Sequence, residues 1–258
     1  MRCHGYLRLA ATILTLFVFL SLSPLALGAT QELQVKPNLV EIGAWFRGQT
    51  VTATAMLPKG AEIVIEVMGQ AADEHLMRKG RRGALWMNVG EIDFQHAPSL
   101  YMVMSTNPKL LSAAPPEAPW GFAALKRRAT MSGMVTDQEK DEFFEQFIKL
   151  KESEDLYASS KEPIKKSRAV GDLTPIEAKF RLPTNVKPGA YEVCLSVVQD
   201  GQVIAKNCQE IQVKMVGFPA MLSSLAYEHG ATYGILAVII AIITGFAMGF
   251  LFKGGGGH

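Results

Sequence analysis

The chain has 258 residues, with 26 basic against 24 acidic side chains and a hydrophobic fraction of 48%. Two of those basic residues, Arg2 and Arg8, lie in an N-terminal segment expected to be removed, so the rest is balanced at 24 of each sign. That balance excludes the dense positive field on which nucleic-acid binding depends.

The first 29 residues read as an export signal. Arg2 and Arg8 precede and flank an apolar run from Leu9 to Leu20, and Ala26-Leu27-Gly28-Ala29 offers the small residues of a cleavage site. Without that signal and a C-terminal span, about 190 residues are left, enough for one sizeable domain or two small ones. No thiol stands just after the cleavage site, which argues against a lipoprotein anchor.

From residue 30 to about 107 the pattern is strand after strand. Val51, Ala53 and Ala55 alternate with threonines, and Ile63, Ile65 and Val67 alternate with Glu62 and Glu66, each a strand with one buried and one polar face. Leu85 to Val89, Glu91 to Phe94 and Leu100 to Ser105 add short strands punctuated by Gly83, Gly90 and Pro98. Turns at such spacing are the signature of a sandwich or barrel. Residues 107–170 are expected to be a helical insertion. Prolines open it, Thr136 and Glu139 have capping-box spacing, and Phe143, Phe144, Phe147, Ile148 and Leu150 form an apolar helix face. That face is expected to lid the sandwich or, as the alternative, to dock on another protein. A polar linker at Ser159 to Ser167 leads to a strand at Ile176 to Leu182.

Cys3 belongs to the signal, so Cys194 and Cys208 are the cysteines of the exported chain. They flank a hairpin signal at Asp200-Gly201. Parity turns Tyr191, Val193, Leu195 and Val197 to the core and puts both cysteines on the more polar face. A three-residue loop with Gln199 opposite Val203 sets the cysteines directly across from each other, whereas a glycine-bulge loop makes them diagonal. A disulfide, two free thiols and metal ligation all remain open here, although two cysteines with no nearby histidine complete no zinc spacing.

Residues 217–230 form a juxtamembrane segment whose Phe218, Met221, Leu222, Leu225 and Ala226 suit a membrane surface. Residues 231–252 are long and apolar enough to span a bilayer, and residues 253–258 form a short tail. Glu228 before the span and Lys253 after it place the tail inside and the body outside. Along the span Ala237, Ala241, Gly245 and Gly249 recur every four residues, a small-residue ridge that permits close approach of a second helix.

Catalytic spacing is absent from the sequence: there is no Gly-x-Ser-x-Gly, no phosphate-cradling glycine loop and no His-Glu-x-x-His. His75, His96 and His229 are isolated, and no metal or cofactor is expected. Methionines such as Met102, Met104, Met131 and Met134 are soft donors for copper(I), yet no histidine joins them and core filling accounts for them. The most polar feature is a basic turn, Arg78-Lys79-Gly80-Arg81-Arg82-Gly83, leading into Leu85-Trp86-Met87. Arg78, Lys79, Arg81 and Arg82 form a candidate contact for an anion or a lipid headgroup, against the plain reading of a solvated loop.

Several stretches together resemble a known family: Pro37-Asn-Leu-Val-Glu-Ile-Gly-Ala-Trp-Phe-Arg-Gly48, Arg78-Lys-Gly80 with Leu85-Trp-Met-Asn-Val-Gly90, Gly189-Ala-Tyr191, and Val216-Gly-Phe218 leading to Tyr233-Gly234. They are similar to the alpha-proteobacterial transmembrane proteins, a domain of unknown function with a signal, a β-rich extracytoplasmic region and one C-terminal span. The resemblance carries over no catalytic residues, and it implies association with permeases of the sulfite-exporter type. The cysteine pair rests on the hairpin argument alone.

The sequence therefore predicts a mainly β chain, an immunoglobulin-like sandwich at 30–216 with a helical insertion, continuing into one transmembrane helix. The expected protein is non-enzymatic, sits in the bacterial inner membrane with its domain in the periplasm, and works with a membrane-protein partner or a second copy through the span. The alternative is a stand-alone periplasmic binder of a ligand, anion or metal.

Overall fold

A computed structural model describes residues 32–252, except 116, 134, 135, 137 and 200. The expected signal and the tail at 253–258 lie outside the described residues. The chain is mainly β, with several sheets and one C-terminal helix long enough to span a membrane.

Alternation builds the first sheet. β3 (Gln49–Pro58) buries Val51, Ala53, Ala55 and Leu57 on one side, and β11 (Leu173–Leu182) answers with Ile176, Ala178, Phe180 and Leu182. These two pair antiparallel, with Ala53 opposite Ala178. The strands β1 (Gln34–Lys36) and β10 (Lys165–Lys166) complete the order β1-β3-β11-β10. The second sheet is built from β2 (Leu39–Ile42), β4 (Glu62–Gly69), β7 (Tyr101–Ser105), β9 (Tyr157–Ser159), β12 (Gly189–Gln199) and β13 (Gln202–Met215). Their order is β2-β13-β12-β4-β7-β9. Ile63, Ile65 and Val67 of β4, with Val193, Leu195 and Val197 of β12, share one hydrophobic cluster with the buried rows of β3 and β11. Each such side chain removed from water stabilises the fold by roughly 1.5–3 kcal/mol. Lys36 and Pro37 join through a cis bond where β1 in one sheet passes to β2 in the other, and β2 lies parallel to β13.

The second sheet is covered on both faces, which alternation on β4 did not foretell. Glu66 is 2% exposed rather than facing water, and Cys194 is fully buried on the side expected to be polar. The cover comes from α1 (Lys109–Ser112) and α2 (Gly121–Arg128). The Tyr101 hydroxyl donates to Glu66 Oε1 at 2.5 Å and accepts from the Gly121 N–H at 2.8 Å. Burial, and after it the charge of Glu66, pushes the Tyr101 phenol far up, so it stays a donor to that carboxylate.

β5 (Ala71–Arg82) and β6 (Leu85–Pro98) make a long antiparallel ribbon, joined by β8 (Thr130–Gly133) at one edge. The two short strands expected at 85–94 are one strand. The ribbon continues the β4–β7 ladder without a break: Gly69 N–H donates to Leu100 O at 2.8 Å, Ser99 N–H donates to Gln70 O at 2.9 Å, and Ala71 then faces Pro98. It is an arm of the sheet. Gly69 lies opposite Tyr191, which lies opposite Ile211, and β13 runs only four residues further before α4 (Gly217–Glu228). The arm therefore leaves the sheet at the end from which the chain departs for α5 (Gly230–Phe252).

The insertion at 107–170 holds α1, α2 and α3 (Lys140–Ser153) together with β8, β9 and β10. α3 packs on the arm. Phe147 stacks on Phe94 of β6 with ring centroids 4.2 Å apart and meets Tyr157 edge-on at 5.8 Å, while Tyr157 reaches Tyr101 at 6.0 Å. Phe144, Phe147 and Ile148 are buried, as the helix pattern predicts, and Leu150 stays 39% exposed. At the helix start the Glu139 carboxylate accepts from both the Thr136 N–H (3.1 Å) and the Thr136 hydroxyl (2.8 Å). One half of a capping box is present, and the threonine oxygen donates instead of capping a backbone amide.

Candidate functional site

Four basic residues of the sequence motif sit on the arm, and all four lie within β5 rather than in a turn. The turn is Gly83-Ala84, where Gly83 takes a φ of +64° that a side chain would resist. Strand parity then separates the cations. Arg78 points toward α3: its Nη2 donates to Glu139 Oε1 at 2.8 Å, and its guanidinium lies 5.1 Å from the centre of the Phe143 ring. Backbone and side-chain donation from Thr136, then Arg78, holds the Glu139 carboxyl below its usual range. Arg78 is thus part of the arm–helix contact. Arg81 lies across from Trp86 and Lys79 across from Asn88 on one face; Arg82 faces Leu85 and Gly80 faces Met87 on the other. Arg81 Nε donates to Gly83 O at 3.1 Å, and among the described residues Lys79, Arg81 and Arg82 form no ion pair.

No residue from Lys79 to Asn88 is buried. Leu85 is 67% exposed, Trp86 73% and Met87 43%, so the arm presents its apolar end to its surroundings beside three cations. Between arm and helix runs a groove of about 510 Å³ lined by Leu76, Met77, Arg78, Phe143, Gln146 and Leu150.

On the outer face of the arm, His75 lies opposite Asp93, with its Nδ1 2.6 Å from Asp93 Oδ1 and 3.7 Å from Glu91 Oε1. The hydrogen bond to Asp93, then its charge, raises the His75 pKa above its ordinary value. One ligand atom from each of His75, Glu91 and Asp93 lies within 4.8 Å of the others, a nitrogen–oxygen donor set for a divalent cation. Sequence spacing could not bring it out, because it needs a cross-strand pair 18 residues apart.

Cys194 and Cys208 are joined by a 2.07 Å S–S bond and are direct cross-strand partners, with Cα atoms 4.1 Å apart. The cysteines stand in the register expected of the three-residue loop, but the pairing beside the turn differs from it. Gln199 pairs with Gln202 and Val198 with Val203, after which a bulge lets Val197 meet Ala205. The extra residue at Ile204 shifts the ladder by one and sets the cysteines opposite each other. Cys208 is exposed at the edge of a cleft of about 480 Å³ shared with Gln70, His96, Arg128, Tyr191 and Glu192.

α5 has 23 residues and would span about 34 Å, and none of it is buried. Ala237, Ala241, Gly245 and Gly249 are all exposed, and no atom lies within 4 Å of where a Cβ would stand on either glycine. α4 exposes Phe218 at 63% and Met221 at 60%.

A β-rich body leading into one exposed apolar helix defines a membrane-anchored protein with a single candidate span among the described residues. The chain belongs to the family described as "Putative transmembrane protein (Alph_Pro_TM)", whose model matches residues 31–254. A comparison with curated proteins found no match.

Proposed function

We propose that this is a non-enzymatic accessory protein of a membrane transporter. α5 crosses the bacterial inner membrane, the β domain stands in the periplasm and the tail lies in the cytoplasm. The observation that carries this reading is the ridge of Ala237, Ala241, Gly245 and Gly249, exposed at four-residue spacing and flanked by isoleucine, valine and phenylalanine. In lipid, where hydrophobicity gives little drive between helices, such a ridge lets two backbones approach closely enough for dispersion and weak hydrogen bonds to hold them. The partner is another membrane protein or a second copy of this chain, and the family resemblance suggests a permease of the sulfite-exporter type.

The body suits binding. Its assignment as an immunoglobulin-like sandwich is supported by the first strand divided between two sheets, by β2 lying parallel to β13, and by the Tyr191 hydroxyl donating to Lys187 O at 2.6 Å. The test is recovery of a membrane partner in detergent after Gly245→Leu and Gly249→Leu. Recovery falls if the ridge is the contact, and unchanged recovery removes the argument. A reporter fused after His258 fixes orientation, and periplasmic reporter activity would overturn it.

A second reading, a stand-alone metal binder, is favoured by the donor set of His75, Glu91 and Asp93. Metal analysis of the purified full chain, with and without His75→Ala, separates the two readings.

A further inference from the structure

We propose that the end of the arm is a second membrane contact. Trp86, with Leu85 and Met87, seats at the headgroup level of the bilayer, and Lys79, Arg81 and Arg82 meet its anionic lipids. This rests on α5 being the membrane anchor.

Topology supplies the first argument. The arm prolongs β4 and β7 beyond the end of the sheet at which β13 gives way to α4 and then α5, so its tip projects from the side of the body that the chain leaves to reach the membrane. A lipid surface is always present there by the protein's own construction.

Chemistry supplies the second. A two-stranded ribbon with no cover is marginal in water, and here it carries a 73% exposed tryptophan and a 67% exposed leucine. Tryptophan favours the membrane–water interface, where its ring is sheltered and its N–H stays hydrated. Arginine and lysine stems lie along apolar surroundings while their heads reach phosphate. Farther back along β5 the charges are matched inside the protein: Glu74 by Lys151, His75 by Asp93 and Arg78 by Glu139. Among the described residues the carboxylate partners stop beyond Arg78, and three cations remain for an external negative surface.

The shape of the tip favours lipid over a protein groove. Arg81 and Trp86 occupy one face, Arg82 and Leu85 the other, so the ribbon is a wedge that is amphipathic on both sides. A fluid headgroup layer surrounds such a wedge, whereas one flat protein surface satisfies only half of it.

The test uses the full chain carrying Trp45→Phe, reconstituted in phosphatidylcholine vesicles with or without phosphatidylglycerol and with an acyl-chain spin-label quencher. The signal of Trp86 is the difference between this protein and one that also carries Trp86→Phe. Quenching of Trp86 is expected, stronger with phosphatidylglycerol and weakened by salt. Each cation reversed in Lys79→Glu, Arg81→Glu and Arg82→Glu should lower the docked-to-free ratio by roughly fivefold or more. Trp86 emission that stays water-like and unquenched in both lipids overturns the contact. So does shielding that arises only when another membrane protein is co-reconstituted. Vesicle flotation keeps the anchor separate: a chain that fails to float overturns both readings, and a floating chain with unquenched Trp86 overturns the arm contact alone.

Discussion

The ammonium of Lys151 lies 3.1 Å from Glu74 Oε1, which ties α3 to the arm through a lysine that is only 5% exposed. The ammonium also stands 3.7 Å from Glu154 and 5.7 Å from the centre of the Phe147 ring. Removing Glu74 leaves the buried ammonium in a poor solvent, whereas replacing the lysine with an apolar side chain of similar length leaves Glu74, which is 21% exposed and has Lys187 Nζ 3.9 Å away. Glu74→Ala is therefore expected to cost about 3 kcal/mol, near the low end for buried pairs because Glu154 remains, and Lys151→Met less than about 1.5 kcal/mol. Thermal unfolding of the detergent-solubilised chain gives the order, and a larger loss for Lys151→Met would refute it.

The disulfide closes a loop with a sequence separation of 14 residues. Cross-linking a loop of that size restricts the unfolded chain by about 3 kcal/mol. Reductant should lower the unfolding midpoint of the native chain and leave a Cys194→Ala, Cys208→Ala double variant unmoved, with both ending at the same midpoint. Gel mobility with and without reductant reports the bond independently.

Gly69 stands at the join between sheet and arm. A Cβ there would run into Ser99 Oγ, stand 2.9 Å from Tyr191 Cε1 and 3.0 Å from the Leu100 backbone nitrogen. The serine can rotate away, but the backbone cannot, so Gly69→Ala should destabilise by about 1–3 kcal/mol. Amide exchange should quicken first at Gly69 and Ser99, whose N–H groups close the ladder at the join. A neutral Gly69→Ala would show that the junction yields.

His75 carries the pH dependence of the arm's outer face. Its folded pKa is raised, chiefly by the hydrogen bond to Asp93, so protonation strengthens the folded state. The contribution is fully present below the ordinary histidine value of about 6.5 and is lost as pH rises through the raised folded value. Ring-proton titration by NMR should show the raised midpoint, and Asp93→Asn should bring it down. An unchanged midpoint in Asp93→Asn would mean that Asp93 is not the cause.

Much of the strand pattern was legible because period-two alternation needs only one buried face. Val51, Ala53 and Ala55 read correctly for that reason, and so did the apolar stripe Phe144, Phe147 and Ile148 at helical spacing. Glu66 and Cys194 did not. Their burial depends on residues some 40 to 85 positions away in the insertion folding over the back of the sheet, which alternation within one strand cannot register. Similarly, Arg78 looked like its neighbours Lys79, Arg81 and Arg82, and only the arrival of Glu139, the residue that leads into α3, sets it apart. The pairing of Cys194 with Cys208 was within reach of the hairpin argument, but the bulge at Ile204 that produces it was hidden, since two loops of different length give neighbouring registers.

The uninterrupted ladder from β4 and β7 into the arm also limits how the protein can vary in length. A loop tolerates the loss of any number of residues, but a ribbon whose inner row meets α3 and whose outer row holds His75 and Trp86 does not. Deleting one residue from β5 alone would exchange the two rows beyond the cut, carrying cations inward and Leu76 or Arg78 outward. Shortening or lengthening that keeps both faces must come two residues at a time on each strand or be taken up by a bulge, as β6 already does opposite Ala72–Glu74 and opposite Arg78–Lys79, so relatives of this chain should differ in arm length by paired steps or by bulges.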